Sequence, residues 1–261
     1  MDGVLSQEEI NALLNNNDAA DSSDEILTES EKDAIGEIAN ISMGTAATTL
    51  FSLVNRRVEI STPVVSFSNW DKIVDEYEKP CVFIKIGYTQ GLNGSNILVL
   101  KEKDVKIITD LMMGGDGTNI NGEIGELHLS AISEAMNQMM GSSATSLSSM
   151  LNRTIDISPP IAEVVDLKNT LNEGEIDSFL SEEFVKISFH MEIGDLVDSE
   201  IMQLYPPAFV KEMCKGVSQN MELDTQSVTE DVPQSSNTAT QAAPIQQPQD
   251  SGSMNNASAN S

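Results

Sequence analysis

A glutamate and an asparagine recur at one spacing in two separate parts of the chain. Glu37 and Asn40 are followed 97 residues later by Glu134 and Asn137. Such a pair is poorly suited to acid–base or nucleophilic catalysis, because a carboxamide does not titrate. An asparagine can, however, offer one donor and one acceptor to a water molecule and hold it in line for attack. That is sufficient where the electrophile is already activated, as in phosphoryl transfer, and the neighbouring glutamate could pair with a lysine of a protein partner.

The similarity between the two regions continues beyond these pairs. The same shift of 97 residues aligns Asp33 with Ser130 and Pro63 with Pro160. A duplicated fold explains matching apolar positions, but it does not require an exposed glutamate and asparagine to be kept in both copies. A single polar stripe on a helix would be solvated surface, whereas its recurrence indicates a functional surface that is present twice.

Helical periodicity predicts that each pair lies on a long helix. In the first helix, from Thr28 to Val54, the residues Asp33, Glu37 and Asn40 share one face, while most apolar residues fall on other faces. Thr28 and Glu31 form a predicted capping box at its start. The second helix is expected over residues 125–152, so both pairs should be presented on similar surfaces.

Each predicted long helix is followed by strands and a shorter helix. In the first half we expect strands over 58–67, 81–89 and 95–100, an irregular segment over 70–78 and a helix over 102–113. In the second half we expect strands over 154–165, 183–193 and 197–205, and a last helix that ends near Lys215 with Gly216 as its stop. The fold class is therefore α+β. It is a single pseudo-two-fold domain of two helix–strand–strand–strand–helix repeats that share one antiparallel sheet, with both long helices on its surface.

The N-terminal segment has the signals of a short amphipathic helix attached to a linker. Ser6 and Glu9 fit a capping box, and Leu5 and Ile10 fit a hydrophobic staple. So short a helix is marginal alone, so it either docks on its own domain or folds on a partner. The polar linker that follows favours a partner. The candidate partner-binding residues are Leu5, Ser6, Glu8, Glu9, Ile10, Leu13 and Leu14.

These patterns divide the chain into four regions. We expect a partner-binding helix over residues 1–14, a flexible linker over 15–27, the folded domain over 28–216 with repeats 28–116 and 123–216, and a disordered tail over 217–261. The tail is rich in Gln, Ser, Asn and Pro and has no basic residue, a composition that does not support a packed core. A linker that ends without a domain suggests that a further domain once followed.

Composition excludes several classes of function. The chain has 41 acidic and 14 basic residues, a net charge of -27, which argues against nucleic acid and anionic membranes as partners. Apolar stretches are too short for a membrane helix, so a soluble cytoplasmic protein without direct membrane insertion is expected. Cys81 and Cys214 are expected to be reduced core cysteines, and the two histidines, His128 and His190, to be ordinary surface or strand residues. No metal site is visible.

The doubled pattern resembles the signature of a known family. The arrangement Asp/Ser-x3-Glu-x2-Asn-x22-Pro is similar to that of the CheC/CheX/FliY family of bacterial chemotaxis phosphatases. The resemblance implies hydrolysis of the phosphoaspartate of CheY, with Glu37 and Glu134 pairing with a CheY lysine and Asn40 and Asn137 orienting the attacking water. It implies supporting polar roles for Asp33 and Ser130 and structural roles for Pro63 and Pro160. It also implies no cofactor of the chain's own, because CheY carries the Mg²⁺.

The N-terminal segment adds a second resemblance. Residues 5–14 are similar to the segment with which flagellar motor switch proteins bind a response regulator. This implies recruitment of phosphorylated CheY, switch partners such as FliM and FliG, and a place at the cytoplasmic face of the flagellar basal body. The FliN-like domain expected after the linker is absent from the sequence, which puts assembly through that domain in doubt. The alternative to a phosphatase is a non-enzymatic scaffold of the motor switch that only binds phosphorylated CheY.

Overall fold

A computed structural model describes residues 26–77, 80–167, 174 and 176–228, with side chains described as far as residue 217. The helices and strands, in chain order, are α1 (Glu29–Val54), β1 (Val58–Ile60), β2 (Val64–Ser68), α2 (Trp70–Glu76), β3 (Cys81–Gln90), β4 (Gly94–Lys101), α3 (Glu102–Met112), α4 (Glu126–Leu151), β5 (Asp156–Ile157), β6 (Ile161–Val165), β7 (Phe184–Ile193), β8 (Val197–Tyr205) and α5 (Pro207–Val228). A short 3-10 helix, Ser178–Ser181, precedes β7.

Local capping residues set the ends of the two long helices. At the start of α1 the Thr28 hydroxyl accepts a hydrogen bond from the Glu31 N–H at 3.2 Å, and the Thr28 N–H donates to the Glu31 carboxylate at 2.9 Å, so the predicted capping box is confirmed. Asn55 and Asn152 end α1 and α4 in the left-handed conformation, with φ of 50° and 47°. The predicted bounds of both helices agree with the structure to within one residue.

The two halves share one antiparallel sheet and exchange strands within it. The strand order is β1-β7-β8-β4-β3-β5, with β2 also paired with β7 and β6 also paired with β3. The short strands of each half therefore pair with a long strand of the other half. This exchange makes the two repeats one domain, as the expected shared sheet requires.

The residue offset between equivalent elements of the two halves changes once along the chain. The elements α4 and β6 begin 97 residues after α1 and β2, whereas β7 and β8 begin 103 residues after β3 and β4. The second half thus has six more residues between its short and long strands, in the segment that contains the 3-10 helix. The offset of 97 residues is kept along the two helices that carry the Glu/Asn pairs.

Apolar side chains cover both faces of the sheet. The larger core lies under α1 and α4 and includes residues from both halves, such as Met43 and Met140. The buried Gln203 amide on β8 lies 3.4 Å from the Met43 sulfur and 3.9 Å from the Met140 sulfur, so it contacts equivalent residues of the two helices. A smaller core on the opposite face includes Trp70 and Ile73 of α2.

Three expectations about local structure were wrong. The strands expected over 58–67 and 154–165 are each broken into two, with Pro63 and Pro160 in the breaks, because proline has no N–H to donate to the ladder. Each half therefore has four strands rather than three. The segment 70–76, expected to be irregular, is helix α2, which begins where the Asn69 side chain accepts the Lys72 N–H at 3.0 Å.

The limits of the folded region also differ from expectation. Leu27, placed in the linker 15–27, is fully buried in the larger core, so the folded region begins before Thr28. The last helix does not end near Lys215 but continues to Val228, into the interval expected to be a disordered tail. A Cβ atom at Gly216 would lie 2.7 Å from the Leu151 Cδ2 atom, so this glycine allows close packing against the end of α4 and is not a stop.

The expected burial of the two cysteines agrees with the structure. Cys81 and Cys214 are buried. Residues 114–117 form the turn between the halves, with positive φ at Gly114 and Gly117. Within the described residues, no helix combines the length and apolar character needed to cross a membrane.

Candidate functional site

The first Glu/Asn pair lies on the solvent side of α1. Ile35, Ile38 and Ala39 are buried beneath the helix, and this fixes its rotation about its axis. Glu37 and Asp33 are consequently exposed and Asn40 is half-buried. The three polar side chains that were predicted to share one face do so.

The second pair lies on the equivalent surface of α4. Ile132, Ala135 and Met136 are buried there, which leaves Glu134 exposed and Asn137 half-buried. A shallow depression of about 410 Å³ borders the helix and the start of β6. Its lining includes all four predicted site residues of the second half: Ser130, Glu134, Asn137 and Pro160.

The depression beside α1 is placed differently, relative to the first pair, from the depression beside the second pair. A Cβ atom at Gly36 would lie 3.7 Å from Val65, which shows that α1 packs on β2 near the pair. Pro63, which directly precedes that strand, is half-buried. The larger depression beside α1, about 590 Å³, lies further along the helix and is lined by residues that include Gly44, Thr48 and Phe51. Glu37 and Asn40 are not among the residues that line this depression.

The two carboxylates also differ in their hydrogen bonding. The Gln138 Nε2 atom donates to Glu134 Oε1 at 2.7 Å. The equivalent position in the first half is Ile41, an exposed apolar residue. Among the described residues, neither Glu37 nor the two carboxamides of Asn40 and Asn137 have a hydrogen-bond partner. Sequence reasoning missed Gln138, although its spacing of four residues from Glu134 on one helix was a visible signal.

The two histidines make local contacts outside the Glu/Asn pairs. His128 Nδ1 accepts the Gly125 N–H at 3.2 Å and so helps to begin α4. His190 on β7 lies 3.0 Å from Glu192 and 3.5 Å from Asp198 at an exposed site. In the part of the chain that the structure describes, no group of three or more His, Cys, Asp or Glu side chains is placed to hold a metal ion.

The predicted partner-binding residues of the N-terminal segment, from Leu5 to Leu14, lie outside the described residues. Their role stays a prediction.

The arrangement presents, twice, an exposed carboxylate and a carboxamide one helical turn apart, with the carboxamide available to bind water. Within the described part of the chain, the depression that borders the second pair is shallow, and both glutamates are exposed. Both surfaces are therefore accessible to another macromolecule.

Comparison with known proteins agrees with this geometry. The family model of the CheC-like family matches residues 31–67 and 127–164, the two segments that carry the pairs. The flagellar motor switch phosphatase FliY of Bacillus subtilis is 47% identical over 218 residues, which cover 82% of this chain and 57% of that protein. The chain thus spans little more than half the length of this relative.

Two further relatives support the same assignment. The CheY-P phosphatase CheC of Bacillus subtilis is 24% identical over 143 residues, which cover 53% of this chain and 67% of that protein. The crystal structure of Thermotoga maritima FliY matches with a TM-score of 0.68 and 42% identity, covering 75% of this chain and 99% of that one. The matched segments, the shared fold and this identity agree, and the chain therefore belongs to the CheC-like family.

Proposed function

We propose that this chain is a phosphatase that hydrolyses the phosphoaspartate of the response regulator CheY. The observation that carries the proposal is the pair of equivalent helix surfaces on which an exposed glutamate adjoins an asparagine whose carboxamide has no hydrogen-bond partner among the described residues. Relatives named as a motor switch phosphatase and as a CheY-P phosphatase support the choice of reaction and substrate.

The proposed reaction places each residue in a distinct role. Glu37 or Glu134 pairs with a lysine of CheY and so aligns the two surfaces. Asn40 or Asn137 holds a water molecule in line with the phosphorus atom. The water attacks phosphorus, the bond between phosphorus and the aspartyl oxygen breaks, and the products are inorganic phosphate and the free CheY carboxylate. The Mg²⁺ that neutralises the phosphoryl oxygens is carried by CheY, and this chain supplies positioning.

The supporting residues act through the helix and the strand that follows it. Asp33 and Ser130 lie one turn before the glutamates and would add polar contacts to the same partner surface. Pro63 and Pro160 set the break before β2 and β6, so that each edge strand runs beside its helix.

The N-terminal segment is proposed to recruit the substrate. Residues 4–14 would bind phosphorylated CheY and raise its local concentration at both pairs. Removal of this segment should raise the CheY concentration needed for half-maximal rate, while the rate at saturation stays nearly the same. A collapse of the saturated rate would instead make the segment part of the catalytic domain.

The same relationship supports a place in the flagellar motor. We propose that the chain acts at the cytoplasmic face of the flagellar basal body, with switch proteins such as FliM and FliG as partners. The support is the name of the FliY relative as a motor switch phosphatase.

The decisive experiment is the decay of phosphorylated CheY with and without this protein. Asn40→Ala or Asn137→Ala alone should leave partial activity, and the double variant should abolish the acceleration while it unfolds at the same temperature as the parent. A double variant as active as the parent would refute the proposal. The alternative, a non-enzymatic scaffold, predicts binding with no change in the lifetime of the acyl phosphate.

A further inference from the structure

Two large apolar side chains are exposed at equivalent positions of the two halves, at the starts of the strands that follow the helices carrying the Glu/Asn pairs. Val64 begins β2 and is 65% exposed, and Ile161 begins β6 and is 68% exposed. The two residues are 97 positions apart, and each directly follows the proline of the repeated pattern. An isolated exposed apolar residue is ordinary and needs no explanation. Here an exposed apolar residue occurs at the matching position of both halves, as the Glu/Asn pair does, and this duplication indicates a shared role.

The described surface offers a comparison for this duplication. The other large apolar side chains exposed there are Ile41, Phe51, Met113, Leu127 and Val164. In the described part of the chain, none of these has an exposed large apolar residue at the equivalent position of the other half. Val64 and Ile161 alone share that property with the Glu/Asn pairs.

The sheet does not bury these two side chains. Their register partners are polar, Ser188 on β7 for Val64 and Lys85 on β3 for Ile161. Strands β2 and β6 each pair on one side only, so no further strand covers them. The exposed positions of an edge strand ordinarily carry polar residues, since an apolar side chain there is not buried by the domain.

At the second site, Ile161 is part of the same surface as the polar pair. It lines the depression of about 410 Å³ together with Glu134 and Asn137. A macromolecule whose acyl phosphate reaches Asn137 through this depression would therefore contact Ile161. An apolar side chain at that place excludes water from the contact and so strengthens the neighbouring pairing between carboxylate and lysine.

We infer that Val64 and Ile161 are apolar anchors that bind the phosphorylated response regulator, one beside each Glu/Asn pair. This inference rests on the proposed function, since it assigns the same partner to both features. The anchors hold the partner without touching the reacting atoms, so they act on binding and not on the chemical step. Their counterpart on the partner is an apolar patch close to its phosphorylation site.

The test isolates one site at a time. In an Asn40→Ala protein, where only the second pair works, Ile161→Ser should raise the CheY concentration for half-maximal rate by about tenfold, the scale set by loss of a buried isoleucine side chain. The rate at saturation should not change. Ile161→Val should restore most of the affinity. Val64→Ser in an Asn137→Ala protein should behave in the same way at the first site.

Matched controls separate anchoring from a general loss of apolar surface. Met113→Ser removes a side chain that is 49% exposed directly after α3 and does not line the depression beside Asn137, so it should change nothing. Because Ile161 is exposed, Ile161→Ser should melt at the parent's temperature. An unchanged half-saturating concentration in Ile161→Ser would overturn the inference. So would a changed oligomeric state in sedimentation without weaker CheY binding, since that result would assign the residue to self-association.

A binding measurement keeps this inference distinct from the proposed reaction. Asn40→Ala with Asn137→Ala removes the proposed catalytic groups but retains both anchors. Titration of this double variant with CheY that carries beryllium fluoride, a stable mimic of the acyl phosphate, should show weaker binding when Val64→Ser and Ile161→Ser are added. Weaker binding would support the anchors even if the parent failed to accelerate phosphate loss, and unchanged binding would overturn them whatever the activity.

Discussion

Gln138 donates a hydrogen bond to the Glu134 carboxylate at 2.7 Å, and the residue in its place beside Glu37 is Ile41. The glutamate carboxylates of the two sites therefore differ in their hydrogen bonding. Glu134 accepts a hydrogen bond from a residue of its own helix, whereas Glu37 has no hydrogen-bond partner among the described residues. A carboxylate has two oxygens, so Glu134 can keep the bond from Gln138 and still accept a lysine on its other oxygen.

This difference predicts a small effect on substrate binding at the second site. In an Asn40→Ala protein, Gln138→Ala should weaken CheY binding by about twofold, because helix pairs of this type contribute roughly 0.2–0.5 kcal/mol of ordering. The saturated rate should stay the same. Titration of phosphorylated CheY against initial rate measures both quantities. Tighter binding in the variant would show that Gln138 competes with the lysine of the partner and does not orient Glu134.

A second prediction concerns the salt dependence of CheY binding at the two sites. The first site presents two exposed carboxylates one turn apart, Asp33 and Glu37, whereas the second has Ser130 in the place of Asp33. Attraction between exposed charges is screened over about 10 Å at 0.1 M salt. We expect CheY binding at the first site, measured in Asn137→Ala, to weaken more steeply with NaCl than binding at the second site, measured in Asn40→Ala.

Exchange of the two residues provides the control for this prediction. Asp33→Ser should reduce the salt dependence at the first site, and Ser130→Asp should increase it at the second, each changing affinity at low salt by roughly twofold. Identical salt dependence in all four proteins would show that these positions do not face charged groups of the partner.

The sequence predicted the parts of the structure that local interactions determine. The ends of α1 and α4 follow from the Thr28 capping box and from Asn152, and the solvent side of each helix follows from periodicity. The strand breaks at Pro63 and Pro160 were also local, and were missed because apolar residues on both sides of each proline were taken as one strand.

Other features depend on long-range packing that one sequence does not display. The exchange of strands between halves requires β2 to pair with β7 and β6 with β3, yet each half alone would be equally compatible with pairing inside itself. In α5, Gly216 packs closely against Leu151, which lies more than 60 residues away in the chain. The Glu/Asn pairs were predicted from the sequence, whereas the exposure of Val64 and Ile161 is visible only in the folded structure.

A third prediction concerns Asp104, a carboxylate outside both sites. It is 4% exposed in the first turn of α3, and its Oδ2 atom has no hydrogen-bond partner among the described residues. Burial raises the pKa of Asp104, and the nearby Ser199 hydroxyl and Lys101 oppose this only in part. The folded state therefore holds a proton more tightly than the unfolded state, and the stability of the fold falls as pH rises above the ordinary pKa of an aspartate.

Asp104→Asn should remove this dependence. The amide has nearly the shape of the protonated acid and carries no charge, so the variant should be more stable than the parent at pH 7, with a difference that shrinks as pH falls towards 4. Melting temperatures of both proteins over that pH range measure the effect. A difference that grows on acidification would show that the ionised form of Asp104 is the stabilising one. Hydrolysis of phosphorylated CheY should be the same in both proteins, because Asp104 adjoins neither pair.

The exchange of strands makes a prediction about how the domain folds. A fragment of residues 26–122 lacks β7, the partner of both β1 and β2, and it leaves β3 without β5 and β6. Unpaired strand edges and half of a shared core do not support an independent fold. We expect this fragment and its complement, residues 123–228, each to unfold without a cooperative transition when studied alone by circular dichroism. When the two fragments are mixed or co-expressed, they should associate one to one and recover a cooperative transition.

The intact chain cleaved between residues 116 and 123 serves as the control, because this segment connects the halves and contains no strand. A cooperative transition in either fragment alone would show that strands can pair within one half, and the exchange would then be a product of linking the two halves and not a requirement for either to fold.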